Sequence, residues 1–190
     1  MIVTGPPGSG KTTLATALAS ALHYAIMDLD TLTGPLTRAA LRASLGDETA
    51  IDSPAGVALR ASRYESLLDV AAANLAVGIG VVIAAPFTAE RASAELFDEV
   101  ARRLNSNAAL LYIDAPDEVV RTRMESRNAA RDRAKLSRAP ADEATGRPPL
   151  IPDAIVLDGA RKVAEQVAQA LDALARLQDS RSSNPQARSC

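Results

Sequence analysis

The residues best equipped for chemistry lie within the first thirty positions. Gly5-Pro6-Pro7-Gly8-Ser9-Gly10-Lys11-Thr12 reproduces the pattern G-x-x-x-x-G-K-S/T in full. Glycines at 5, 8 and 10 permit backbone angles and close approaches that a side chain would forbid. Successive main-chain N–H groups can then turn inward as an anion nest. A helix that follows presents its positive end to the same point. Lys11 supplies a mobile ammonium for β and γ phosphates, and the Thr12 hydroxyl a ligand for Mg²⁺. Gly5, Gly8, Ser9, Gly10, Lys11, Thr12 and Thr13 are therefore the candidate ligands of ATP. The competing reading, a Gly/Pro turn with an incidental lysine, leaves the strand before it and the amphipathic helix after it unexplained.

Two acids follow at Asp28 and Asp30 in Met27-Asp28-Leu29-Asp30-Thr31. Read as the end of a strand, residues two apart point the same way, toward the space that Lys11 occupies. Phosphoryl transfer to a hydroxyl needs one carboxylate to accept or orient its proton and another to hold hydrated magnesium. Asp30 is the candidate for the first role and Asp28, with Thr12, for the metal. The plainer alternative is that either acid caps the next turn or helix.

A third cluster is basic. Glu118 to Arg138 carries seven basic and three acidic side chains, a local +4 in an acidic chain. Arg123, Arg127 and Arg131 recur every four residues and so share one helix face. Such a face can clamp a migrating phosphoryl group; the alternative is a solvated helix surface. His23, the one histidine, fits a helix C-cap better than a catalyst.

Positioning these groups requires alternating strands and helices. Apolar runs at 1–4, 24–28, 80–85, 109–114 and 154–157 read as strands, continuous rather than alternating, as in a sheet covered on both faces. Leu14, Leu18 and Leu22 form a helical stripe. So do Val57, Ala61, Tyr64, Leu68, Ala71 and Leu75; Ala92, Leu96, Val100 and Leu104; and Val163, Val167, Ala170, Leu174 and Leu177. The pattern predicts crossover units and a parallel sheet. Residues 31–56 and 132–153, rich in Gly and Pro, read as long functional connections. Residues 179–190 read as a disordered polar tail.

Composition narrows the class. The 190 residues carry 21 Lys+Arg against 23 Asp+Glu, and the chain is 47% hydrophobic. A pI near 5.5 disfavours a dedicated nucleic-acid protein. The single cysteine, Cys190, cannot form an internal disulfide, which suits a reducing, cytoplasmic setting. No room for a leader is expected ahead of the first strand, and no apolar run suggests a membrane span.

Together, GPPGSGKTT, the Asp-Leu-Asp after strand two and the R-x-x-x-R-x-x-x-R-D segment resemble the small P-loop kinases of the adenylate, shikimate and gluconate kinase group, many of them labelled only as AAA-type ATP-binding proteins. The likeness spans residues 1–175. It implies a three-layer α/β P-loop NTPase fold: a five-stranded parallel sheet of order 2-3-1-4-5, helices on both faces and an arginine-rich lid. One domain over 1–178 would hold a substrate subdomain at 31–75 and a lid at 123–150. The resemblance implies that Lys11 and Thr12 hold phosphate and metal, and that Asp30 meets the acceptor. Arg123 would begin the lid helix near the adenine and Arg127 would reach the phosphates; sharing their helix face, Arg131 is a further candidate contact for ATP. The loop near Asp158–Ala160 would touch the base. One departure stands out. Strand three ends Ala84-Ala85-Pro86-Phe87, with no Walker B acid; Pro86, Phe87 and Thr88 fall where a substrate wall would stand, and Phe87 reads equally as core.

The expected activity is ATP- and Mg²⁺-dependent transfer of the γ-phosphoryl group to a hydroxyl of a small molecule such as a sugar, sugar acid or antibiotic-like alcohol. The chain is expected to act as a monomer or homodimer, without membrane or nucleic acid. A nucleoside or nucleotide kinase is the alternative, and an ATP-binding regulatory protein with slow hydrolysis is the alternative of another class. No Asn/Thr-Lys-x-Asp guanine-reading motif is present, which favours ATP over GTP.

Overall fold

Consecutive apolar residues in each short strand face opposite sides of the sheet, and this divides the core into two. The computed structural model describes residues 1–127 and 148–183. Within them β1 (Ile2–Thr4), α1 (Lys11–Leu22), β2 (Ala25–Asp28), α2 (Leu29–Leu45), α3 (Pro54–Ala76), β3 (Val81–Ala84), α4 (Ala94–Arg103), β4 (Leu110–Asp114), α5 (Asp117–Arg127), β5 (Ile155–Asp158) and α6 (Val163–Ser183) follow in order. The five strands form one parallel sheet of order β2-β3-β1-β4-β5.

Ile2, Val81, Ile83 and Leu110 point to one face, where they meet Leu67, Leu68 and Ala71 of α3 and Phe97 and Val100 of α4. Val3, Val82, Ala84, Leu111 and Ile113 point to the other, against Leu14, Ala15 and Leu18 of α1 and Ala170 of α6. The result is the expected three layers. Leu14 is fully buried in the second cluster. Leu14→Ala is expected to lower the unfolding free energy by about 3–5 kcal/mol, read from urea denaturation, through lost transfer energy and a residual cavity.

Local signals set the helix ends. Ser53 and Ser93 cap α3 and α4, accepting from the Gly56 and Leu96 amides. His23 ends α1 in a left-handed conformation, φ 55°, as expected of a cap. Other expectations are corrected. Residues 31–45 are not a loop, since α2 runs unbroken to Leu45 with Pro35 inside it, and only 46–53 connect it to α3. Pro35 removes only the bond to the Thr31 carbonyl. The Thr33 and Thr37 hydroxyls donate back to the Leu29 and Thr33 carbonyls. The α4 stripe buries Phe97, Val100 and Leu104, while Leu96 is 39% exposed. The last helix continues to Ser183, past the expected domain end at 178. Among the described residues no helix is long and apolar enough to cross a membrane.

Candidate phosphate and acceptor site

The carboxyl end of β1 feeds directly into the glycine loop, and α1 begins at Lys11. Gly10 is its N-cap at φ 102°, and no side chain caps the helix. The first amides of a helix have no carbonyl one turn before them, so those of Lys11, Thr12 and Thr13 are available to an anion. Gly5 has to be glycine: a Cβ there would stand 2.8 Å from Ser9 Oγ and 2.9 Å from the Ile113 carbonyl. At Gly8 a Cβ would meet Met124 Cγ at 2.8 Å, so α5 lies directly against the loop. Ser9 is buried, and its hydroxyl has no partner among the described residues. Lys11 Nζ donates to the loop's own carbonyls, Gly5 at 2.9 Å and Pro6 at 2.8 Å. Uncapped amides, a buried unsatisfied hydroxyl and a lysine resting on carbonyls it can leave all fit a polyphosphate.

Thr12 reaches the next strand. Its Oγ1 donates to Asp28 Oδ2 at 2.8 Å, while Asp28 Oδ1 accepts from the Thr31 amide at 2.8 Å. Asp28 is thus both partner to the Thr12 hydroxyl and N-cap of α2. Asp30 corrects the sequence reading. β2 ends at Asp28, so the two acids do not share a strand face; Asp30 lies in the first turn of α2. It pairs with Arg63 of α3 at 2.7 Å, and Arg63 Nε donates to Thr33 Oγ1 at 2.9 Å. The Arg63 side chain is 12% exposed and that of Asp30 49%.

Of the sequence-predicted arginines, Arg123 is the one whose side chain lies among the described residues. Its two terminal nitrogens donate to the carbonyls of Ser9 and Gly159, both at 2.9 Å. It therefore joins the phosphate loop to the β5–α6 connection. A cavity of about 240 Å³ opens there, lined by Ser9, Gly10, Thr13, Arg123, Ser126, Val163 and Gln166; sequence reasoning missed the last three. A larger hollow of about 530 Å³ between Asp114 and Asp158 includes no loop residue, so the smaller one is the candidate nucleotide pocket. The Arg127 side chain, Arg131 and the 128–147 part of the expected lid lie outside the described residues.

β3 ends at Ala84 and runs into Ala85-Pro86-Phe87, so no acid stands at the end of the third strand, as the sequence indicates. Phe87 is not a substrate wall: it is fully buried at φ 39° and meets the Tyr64 ring edge-on at 5.2 Å. Tyr64 Oη accepts from the Phe87 amide at 3.1 Å, and burial pushes its phenol up, away from ionisation. Among the described residues no group of three or more His, Cys, Asp or Glu converges on one point. A divalent ion would therefore be held by Thr12, with Asp28 behind it.

The sheet order, the uncapped glycine loop and the lysine define a P-loop protein with the fold of the small P-loop kinases. Residues 1–148 match the AAA domain family model, and the chain belongs to that family. Solved structures with the same fold include a gluconokinase from Sinorhizobium meliloti 1021, TM-score 0.57 at 22% identity, covering 94% of this chain and 93% of that chain. A shikimate kinase from Aquifex aeolicus vf5 aligns with TM-score 0.53 at 19% identity, covering 93% and 96%. The Mycobacterium tuberculosis APS kinase solved with AMPPNP and APS gives 0.57 at 23%, covering 92% and 96%. No curated protein matches the chain.

Proposed function

We propose that this protein is an ATP- and Mg²⁺-dependent phosphotransferase whose acceptor is a hydroxyl of a small molecule, a sugar, sugar acid or antibiotic-like alcohol. One juxtaposition carries the reading. The uncapped loop with Lys11 is tied through Thr12 and Asp28 to the helix that presents Asp30, and Asp30 is held by Arg63. Relatives in fold named gluconokinase and shikimate kinase support it.

Bound Mg·ATP supplies the electrophilic phosphorus and neutralises charge on its own oxygens. The loop amides and Lys11 hold the β and γ phosphates. Thr12, with Asp28 behind it, would hold the ion. The Asp30 carboxylate takes the proton of the attacking hydroxyl, and Arg63 fixes the carboxylate's rotamer. Arg123 would border the base. Arg123→Ala is expected to raise KM for Mg·ATP about tenfold with little change in kcat, the size of one or two charge-assisted hydrogen bonds. Steady-state kinetics over a range of ATP concentrations checks this.

The deciding experiment incubates the protein with γ-labelled ATP and a pooled metabolite extract. Mass spectrometry then looks for products heavier by one phosphoryl group. Release of free phosphate alone would favour an ATP-binding regulatory protein, the reading that Ala84-Ala85 in place of a third-strand acid supports.

A further inference from the structure

We infer that Arg91 is an anion-recognising, specificity-determining residue of the acceptor site, so that the acceptor carries an oxyanion in addition to the hydroxyl that is phosphorylated. The inference rests on the phosphotransferase reading.

Arg91 lies in the loop that leaves β3, and main-chain bonds fix its place. Its amide donates to the Phe87 carbonyl at 2.9 Å, and its carbonyl accepts from the Ile151 amide at 2.8 Å. The Thr4 hydroxyl donates to the Pro86 carbonyl, tying the loop to the residue just before the phosphate loop. The guanidinium carbon lies 5.5 Å from the centroid of the Tyr112 ring. Tyr112 is the register partner of Thr4 across β1 and β4. The cation is therefore held near the carboxyl ends of the central strands, beside the start of the phosphate loop.

Its charge is unanswered. Arg63 has Asp30, Arg103 has Asp69, and Arg123 has two carbonyls. Among the described residues Arg91 donates no side-chain hydrogen bond and forms no ion pair, and its buried Nε has no partner. A buried guanidinium N–H without an acceptor is costly, and the Tyr112 face offsets only part of that. The other such atom is Ser9 Oγ, in the phosphate loop.

The fold assigns the missing anion to the acceptor rather than to the nucleotide. α1 and Arg123 approach the loop from the face that carries Leu14 and Leu18. Arg91 follows Phe87, whose ring packs in the opposite core against Tyr64 of α3. The same helix carries Arg63, the partner of Asp30. A neutral sugar's hydroxyls can accept from a fixed, unpaired guanidinium but leave its charge unmatched, whereas a carboxylate or phosphate accepts and neutralises it. The acceptor class is thus a hydroxy acid or a phosphorylated alcohol.

The test fills the phosphate loop first. Wild type, Arg91→Met and Arg91→Gln are saturated with Mg·AMPPNP, and thermal unfolding is followed with sodium sulfate, D-glycerate or glycerol. Arg91→Met keeps the length lying on Tyr112 without the charge; Arg91→Gln replaces it if the first variant fails to fold. Sulfate or D-glycerate is expected to raise the wild-type Tm by about 2–4 °C near saturation, glycerol to have no effect, and the variants to lose the shift while binding AMPPNP as wild type does. A response to sulfate assigns a phosphate-type anion, and one to glycerate a carboxylate. Equal shifts in wild type and variants, or none in wild type, would overturn the inference. So would a tenfold loss of AMPPNP affinity in the variants, which would give Arg91 to the nucleotide. Wild type that fails to bind AMPPNP would instead sink the phosphotransferase reading itself.

Discussion

Lys11→Ala is expected to lower kcat/KM for Mg·ATP by about 10²–10³-fold, the range found when one fixed donor to a developing oxyanion is removed. The fold should survive. The ammonium's bonds in the structure include those to the Gly5 and Pro6 carbonyls, and the loop is also held by the packing of Gly5 on Ile113 and of Gly8 on Met124. Calorimetry with Mg·AMPPNP and circular dichroism on the same sample separate the two effects. An unfolded variant would make Lys11 structural, and a folded variant with undiminished affinity would remove the phosphate site from this loop.

Asp30→Asn is expected to lower kcat by about 10²–10⁴-fold, the contribution of a positioned general base, and to leave KM for Mg·ATP unchanged. Asparagine keeps the shape and an oxygen for Arg63 but cannot take a proton. Because the carboxylate is half exposed, losing its charge beside Arg63 should cost only about 1 kcal/mol of stability. Single-turnover measurements with excess enzyme read the chemical step directly. Full turnover by the variant would reduce Asp30 to a side chain that positions Arg63.

The sheet was legible because each strand is a continuous apolar run flanked by Gly, Asp or Pro. Expected and observed ends differ by one residue at most, and the strand order followed from the family likeness. The glycine loop was legible for the same reason its chemistry works: only those residues fit that turn. The second acid was not. In Asp28-Leu29-Asp30 a buried Leu29 satisfies a strand's period of two and equally a helix's first turn. The structure chose the helix because Asp28 caps it. Residues 31–45 were misread because Gly34 and Pro35 look like a break, yet threonine hydroxyls bond back along the helix on either side of them. Arg91 could not be singled out among 21 basic residues, nor Arg63 from Arg38, Arg42 and Arg60 in the same subdomain. What distinguishes them is burial and the presence or absence of a carboxylate, which depends on contacts remote in sequence. Arg123 was found by its spacing, but its grip joins one carbonyl 114 residues before it to another 36 residues after it.

Asp28 stands astride the seam between the phosphate-receiving turn and the helical hairpin of α2 and α3. One oxygen belongs to each side. The span between the glycine loop and the α2–α3 hairpin is thereby set by the chain itself. Grafting a relative's hairpin in place of residues 29–76, to swap one acceptor for another, would succeed only if this carboxylate stayed behind as the mortise.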